Sequence, residues 1–323
     1  MPKAIRFHQP GGPEVLVWED IKVGDPGPGE VRVRHSAVGV NYIDIYHRTG
    51  LYKLALPSGI GMEGAGVVEA VGPGVTELKT GDRVGYASPI GSYSEVRLAP
   101  ADRLVRLPDA IAFETAAGMM LKGMTVQYLI KRTFKVQPGM TVLFHAAAGG
   151  VGLIACQWLK SLGVTVIGTV GTDAKAALAN AHGCDYPIVY TRENFVERVR
   201  QITGGKGVPV VYDAVGKDVF AGSIDCLAMF GMYVNFGNAS GPLPPVEPLL
   251  LSQKGSLFLT RPTLVHYTAK REDLVASAND LFEVVKSGKV KIEIGQRYAL
   301  KDAAQAHRDL ESRNSTGSLM LMP

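Results

Sequence analysis

Two hydrophobic rhythms divide the chain. Over residues 1 to about 108, apolar side chains recur at every second position in short runs. "EVRVRHSAV" (30–38) is the plainest, and "GAGVVEAVG" (64–72), "DRVGYAS" (82–88) and "SYSEVRLA" (92–99) are similar. That period belongs to strands with one buried face, and Gly- and Pro-bearing turns such as "GPG" (72–74) separate them. Frequent short strands predict a barrel-like or sandwich-like unit.

After "LPDA" the period lengthens. Asp109 is a candidate N-cap for a helix running through "FETAAGMMLKGMTVQYLIKRTF" (113–134). From Thr141 strands and helices alternate: "TVLFHA", "GLIACQWLKSLG", "TVIGTV", "DAKAALANAHG", "YPIVY", "NFVERVRQITGG", "VPVVYDAVG", "VFAGSIDCLAMFG", "MYVNFG". Such alternation predicts βαβ units and a parallel sheet covered on both faces. A Pro-rich link, "GPLPPVEP", precedes a further strand in "SLFLTRPTL". The tail then offers helices at "REDLVASANDLFEVVKSGKV" and "LKDAAQAHRDLESR" and a last strand at "SLMLM".

Composition narrows the classes. The 323 residues, 46% hydrophobic and 20% charged, allow about two domains with cores of their own. A net charge of +4 from 34 basic and 30 acidic residues, with no long basic run, gives no reason to expect a nucleic-acid partner. The N-terminus lacks an apolar signal core, and no stretch is apolar enough for a membrane span, so a cytoplasmic protein is expected. Cys156, Cys184 and Cys226 lie far apart without a CxxC, which predicts reduced thiols rather than disulfides or a zinc lobe.

The most informative stretch is "TVLFHAAAGGVGLIACQWLKSLG" (141–163). Laid on G-x-G-x-x-G, its three positions fall on Ala147, Gly149 and Gly152, between an apolar strand and a helix. Small residues let the backbone approach a pyrophosphate, and the helix start presents N–H groups and a positive dipole end to it. The next strand should end in an acid if the ribose 2′-hydroxyl of NAD is to be held. It ends instead in Gly171 and Thr172, with Lys175 one turn into the helix and Asp173 placed as its N-cap. Room plus a cation suits the 2′-phosphate of NADPH.

Further stretches carry a resemblance. "GVNYIDIYHRTGLY" (39–52), "GIGMEGAGVVEAVGPGV" (59–75), "GDRVGYA", "LKGMTVQYL", "HAAAGGVGLIACQWLK", "GTVGTDAK", "VVYDAVG", "VNFGNASG" and "LESRNSTGS" are similar to segments of the medium-chain dehydrogenase/reductase superfamily. More closely, the chain resembles its zinc-free, zeta-crystallin-like quinone oxidoreductases. The zinc branch has Cys where Asn41 stands and Gly-His-Glu where Gly61, Met62 and Glu63 stand. Catalytic zinc needs about three protein ligands, so no metal is expected. Met62 reads as packing and Glu63 as an orphan.

The resemblance implies a Rossmann-type doubly wound parallel sheet (residues 123–261) and a β-rich GroES-like catalytic domain (1–122, rejoined by 262–323). It implies an NADPH-dependent reductase of small quinones, with cofactor and acceptor in the interdomain cleft. Alternatives are reduction of activated alkenes such as enals and enones, or a non-catalytic NADPH- and RNA-binding crystallin-like protein. Ala148, Gly149, Gly150 and Val151 would cradle the pyrophosphate. Lys175, Tyr190 and Arg313 would surround the 2′-phosphate. Asn41, Asp44, Thr125, Val215, Phe236, Gly237, Phe258 and Thr260 would lie along the nicotinamide and its ribose. Tyr190 could instead cover the core as a strand-end aromatic, Phe236 and Phe258 could be core residues, and Asp44 could cap a helix. Asn41, Tyr46 and Tyr52 are the candidate catalytic residues, and His47 reads as surface. A homodimer through the nucleotide domain is implied, with "GSLFLT" as a candidate pairing strand.

Overall fold

The computed structural model describes residues 1–313 and 315–323. Two units divide the chain: Met1–Met124 with Thr268–Lys286 and Ile292–Pro323, and Thr125–Tyr267 with Ser287–Lys291.

The first unit opens with β1 (Lys3–Phe7), β2 (Val17–Asp20) and β3 (Glu30–Val40), then helix α1 (Tyr42–Arg48). β4 (Ser58–Gly59), β5 (Glu63–Val71), β6 (Arg83–Tyr86), β7 (Val96–Pro100), β8 (Val105–Arg106) and α2 (Phe113–Tyr128) follow. The period-two runs do become strands, and β3 buries Val31 and Val33 while Arg32 and Arg34 ion-pair with Glu69 on the outer face. Asp109 does not cap α2, which starts four residues later at Phe113. Helical pairing persists past Tyr128 as a single π turn, Leu129–Thr133.

The second unit holds a parallel sheet. Its elements are β9 (Thr141–Phe144), α3 (Gly150–Ser161), β10 (Thr165–Val170), α4 (Asp173–Ala181), β11 (Tyr186–Val189) and α5 (Phe195–Ile202). β12 (Val208–Asp213), α6 (Phe220–Asp225), β13 (Leu227–Asn235), α7 (Pro248–Gln253), β14 (Phe258–Thr260) and α8 (Leu264–Tyr267) complete it. The strand order is β11-β10-β9-β12-β13-β14, all pairings parallel. The order reverses between β9 and β12, which is where α/β sheets open a crevice for ligands. Leu143, Ile167, Ile188, Val211 and Tyr233 form the core of this layer. The helix expected through "VFAGSIDCLAMFG" stops at Asp225, because Leu227 already belongs to β13.

The chain then returns to the first unit with α9 (Arg271–Lys286), β15 (Ile294–Ala299), α10 (Ala303–Glu311) and β16 (Ser318–Met322). β16 pairs antiparallel with β3 and extends its sheet, in the order β15-β16-β3-β5-β6-β8. Ser287–Lys291 departs from the expected continuous return and groups with the second unit. The Gln157 carboxamide explains it, donating to Lys291 O at 3.0 Å and accepting from Lys291 N–H at 2.9 Å. The chain thus pairs the expected Rossmann-type α/β unit with a β-rich one.

Candidate active site

Each unit contributes one constellation. In the second, β9 runs into a turn in which Ala146 takes a positive φ of 56° and Gly149 N–H closes onto Ala146 O at 2.9 Å. Gly149 is the N-cap of α3 and offers no side-chain cap. The first bond of the helix is Leu153 N–H to Gly149 O, so the N–H groups of Gly150 and Val151 precede the intrahelical ladder. Ala147 and Ala148 are buried, Gly149, Gly150 and Val151 half-buried. A Cβ at Gly152 would overlap the carbonyl oxygens of Ala146 and Ala147, so only glycine lets α3 pack this close to the turn. The arrangement fits a dinucleotide pyrophosphate: bare backbone donors at a helix start, with no side chain in the way.

Beside it, β10 ends at Val170 and Thr172 caps α4, its hydroxyl accepting from Lys175 N–H at 3.3 Å. The cap is therefore Thr172 rather than Asp173, whose carboxylate is turned to an ion pair with Arg192. Lys175 is half-buried, and Tyr190 is 45% exposed with its hydroxyl against Gly171. Tyr190 thus does not cover the core. Arg192, which sequence reasoning passed over, adds a second cation two residues beyond it.

Asp213 closes β12. Buried, it accepts from Val215 N–H at 2.6 Å, from Gly216 N–H and from the Tyr233 hydroxyl, which shapes the turn carrying Val215. Gly237 packs on Ala214, and Phe236 lies half-buried 5.8 Å from the Phe144 ring. Thr125 is buried and bonds the Tyr128 side chain. Phe258 and Thr260 sit on β14 at the sheet edge, where Phe258 is 56% exposed and so is no core residue.

In the first unit a polar cluster lies under α1. Asn41 is its N-cap, and Asn41 N–H donates to Asp44 Oδ2 at 2.9 Å, so Asp44 takes the capping-box position. Asn41 Nδ2 donates to Glu63 Oε2 at 2.9 Å, and Lys122 Nζ meets the same oxygen at 2.8 Å. Leu121 N–H donates to Glu63 Oε1 at 2.8 Å. Glu63 and Lys122 are both buried, 0% and 5% exposed. Glu63 is no orphan: it is the hub of a buried ion pair that fixes which end of the Asn41 carboxamide is which. A Cβ at Gly39 would overlap Glu63 and Ala117 O, so this approach also needs glycine. The readable signal for Lys122 was a charge inside the apolar run "AAGMMLKGM", which demands a buried partner.

Tyr46 and Tyr52 pair edge to face at 5.3 Å, with Tyr42 and His47 beside them at 6.3 and 6.0 Å. His47 is 7% exposed, not surface, and burial lowers its ring to about 4. Arg313 follows α10 in the first unit, at a positive φ of 59°. Among the described residues no three His, Cys, Asp or Glu side chains are grouped to hold a metal ion.

Comparison with known proteins gives the family. The alcohol dehydrogenase GroES-like domain model matches residues 27–109, and the zinc-binding dehydrogenase model residues 150–283. A quinone oxidoreductase of Pseudomonas aeruginosa is 54% identical over 325 residues, covering all of both chains. The chain belongs to the zinc-free quinone oxidoreductases. Within that family, the solved Escherichia coli quinone oxidoreductase complexed with NADPH is 50% identical with a TM-score of 0.98, covering 99% of this chain and all of that one. A 2-haloacrylate reductase of a Burkholderia species is 46% identical over all of this chain and 99% of its own. No helix among the described residues is long and apolar enough to cross a membrane.

Proposed function

We propose that the chain is an NADPH-dependent reductase of small quinones. The observation that carries this is the end of β10, where Gly171, the Thr172 cap and Lys175 stand where an acid would grip NAD, and the neighbouring Asp173 is taken up by its ion pair with Arg192. Gly149, Gly150, Val151 and Ala148 hold the pyrophosphate through backbone groups. Lys175 and Tyr190 stand at the 2′-phosphate end of the second unit, and Thr125, Val215, Phe236, Gly237, Phe258 and Thr260 at its nicotinamide end. The candidates of the first unit are Asn41, Asp44 and Arg313. Bound NADPH supplies the hydride.

The protein's own part is orientation and polarisation. Glu63 engages one N–H of the Asn41 carboxamide, leaving the other to be offered to an acceptor oxygen on which charge develops. Tyr46 and Tyr52 present aromatic walls and hydroxyls to a flat acceptor. A quinone is electron-poor and its reduced form delocalised, so such modest polarisation suffices where a simple ketone would need a Lewis acid. Similarity to the 2-haloacrylate reductase favours activated alkenes as the second substrate class.

Two finer points belong to the same proposal. β14 is the free edge of its sheet, and Phe258, Phe230 and Met229 beside it are 56%, 64% and 71% exposed. A second copy pairing there would cover them, making a homodimer. Phe258→Glu is then expected to shift the light-scattering mass toward the monomer. Three buried free thiols suit a reducing cytoplasm.

The reading is tested by following oxidation of NADPH and NADH, chelator present, against a small quinone and an enone. Rapid, chelator-insensitive loss of NADPH with the quinone is expected. Turnover of the enone alone gives the site to alkene reduction, and no turnover with either overturns the reductase reading.

A further inference from the structure

The turn after β10 does carry an acid, but a neighbouring strand disarms it. In "GTVGTDAK" Asp173 is the only carboxylate, and it begins α4 directly after the Thr172 cap. The helix dipole favours a carboxylate at that position, so Asp173 suits the start of α4 for its own sake. It is also the group that would oppose a phosphate there. Asp173 and Lys175 carry opposite formal charges two positions apart, and by themselves they leave the turn with no net charge.

Arg192 changes that balance from beyond β11. β10 and β11 run parallel with Val170 opposite Val189, so both end at one edge of the sheet. Tyr190 N–H donates to Val170 O at 3.1 Å, and the Thr191 hydroxyl donates to Gly171 O at 3.1 Å. These bonds fix the segment after β11 alongside the segment after β10. From there Arg192 Nη1 donates to Asp173 Oδ2 at 2.5 Å. The adjacent acid is engaged elsewhere: Glu193 accepts from Val189 N–H at 3.0 Å and pairs with Arg198 at 3.2 Å. The hydrogen bond from Arg192 holds the Asp173 carboxyl below its ordinary range. Both side chains are exposed, so the pair adds little to stability, and its consequence is the charge the turn presents to a ligand.

Resting on the reading of this turn as the 2′-phosphate site, we propose that Arg192 is a positioning residue for nucleotide choice. By holding the Asp173 carboxylate, it keeps the turn's one acid from repelling a 2′-phosphate and from accepting a bond from the ribose 2′-hydroxyl of NADH. Lys175 then meets the phosphate with no unpaired anion beside it. Arg192 acts through Asp173 rather than by touching the nucleotide. Its effect must therefore vanish when residue 173 is uncharged.

A double-mutant cycle tests this, with NADPH and NADH dissociation constants measured for the wild-type protein, Arg192→Gln, Asp173→Asn and the double variant. Arg192→Gln should weaken NADPH about three- to tenfold, the scale of an exposed charge facing a doubly charged group, and leave NADH no weaker. On the Asp173→Asn background the same substitution should change neither nucleotide. A loss of NADPH that persists undiminished on that background would make Arg192 a direct phosphate contact and overturn the inference. So would an equal loss for NADH, or no loss at all in Arg192→Gln. A second readout needs no nucleotide: in an NMR titration of the free protein, the Asp173 carboxyl should titrate higher in Arg192→Gln, toward the ordinary value of about 4. An unmoved titration overturns the pairing. A titration that moves in a protein binding NADPH and NADH alike overturns the 2′-phosphate reading instead.

Discussion

The glycine turn of the second unit and the polar cluster of the first arrange their polar groups by opposite means. The turn uses backbone alone: Gly149 and Gly152 supply space, and the start of α3 supplies N–H groups. The cluster uses side chains that saturate one another, with Lys122, Asn41 and Leu121 all converging on Glu63. A backbone cradle tolerates many neighbours but not an added methyl. A side-chain cluster tolerates size but not a lost partner.

Acid should break that contrast most strongly. Burial lowers His35 and His47 to about 4 and His307 to about 3, and all three lie in the first unit. At pH 8 these rings are neutral in both folded and unfolded chains. As pH falls from 6.5 toward 4 the unfolded chain takes up protons that the folded one cannot, so stability drops by several kcal/mol, on the order given by the shifts. Asp44 acts in the opposite sense. Raised to about 7 when folded, it adds stability as pH falls through 7, and so softens the loss without cancelling it. Urea midpoints across this range should fall, and first-unit amides should lose hydrogen-exchange protection before second-unit ones. A flat midpoint would contradict the neutral-histidine account.

Next comes the ion pair. Lys122→Met leaves the Glu63 carboxylate buried and uncompensated, which should cost about 3–5 kcal/mol of unfolding free energy. Replacing both partners, as Glu63→Gln with Lys122→Met, should recover much of it. A thermal or urea titration showing two additive losses would mean the groups are not coupled.

Gly152→Ala is the matching test of the turn. Its methyl must push against backbone carbonyls, costing about 1–3 kcal/mol in stability. The same displacement should weaken NADPH and NADH equally, since both share the pyrophosphate. Loss of NADPH alone would contradict the assignment of this turn.

The two regions also differed in how legible they were. The turn was readable because everything it needs, the strand, the small residues and the helix, lies within about two dozen consecutive positions. Thr172 and Asp173 were misassigned by one place, since both types cap helices and only the Arg192 pairing, 19 residues on, removes Asp173 from the role. The cluster was nearly opaque. Glu63 meets Asn41 across 22 residues and Lys122 across 59, while Tyr93 reaches His307 across 214. No local period encodes such pairings. Glu63 read as an orphan and His47 as surface because their partners and neighbours are brought by other elements. The strands and the alternating β/α order were legible from period alone. Helix ends such as those of α2 and α6 were not, because packing set them.

If the end of β10 selects the 2′-phosphate, Lys175 must distinguish the two nucleotides. Titration calorimetry of NADPH and NADH on the wild-type protein and on Lys175→Ala measures this. A charge-assisted contact contributes about 1.5–3 kcal/mol, so Lys175→Ala should weaken NADPH roughly ten- to a hundred-fold and leave NADH unchanged. Equal wild-type affinities for the two nucleotides, or the same loss for both in the variant, would contradict it.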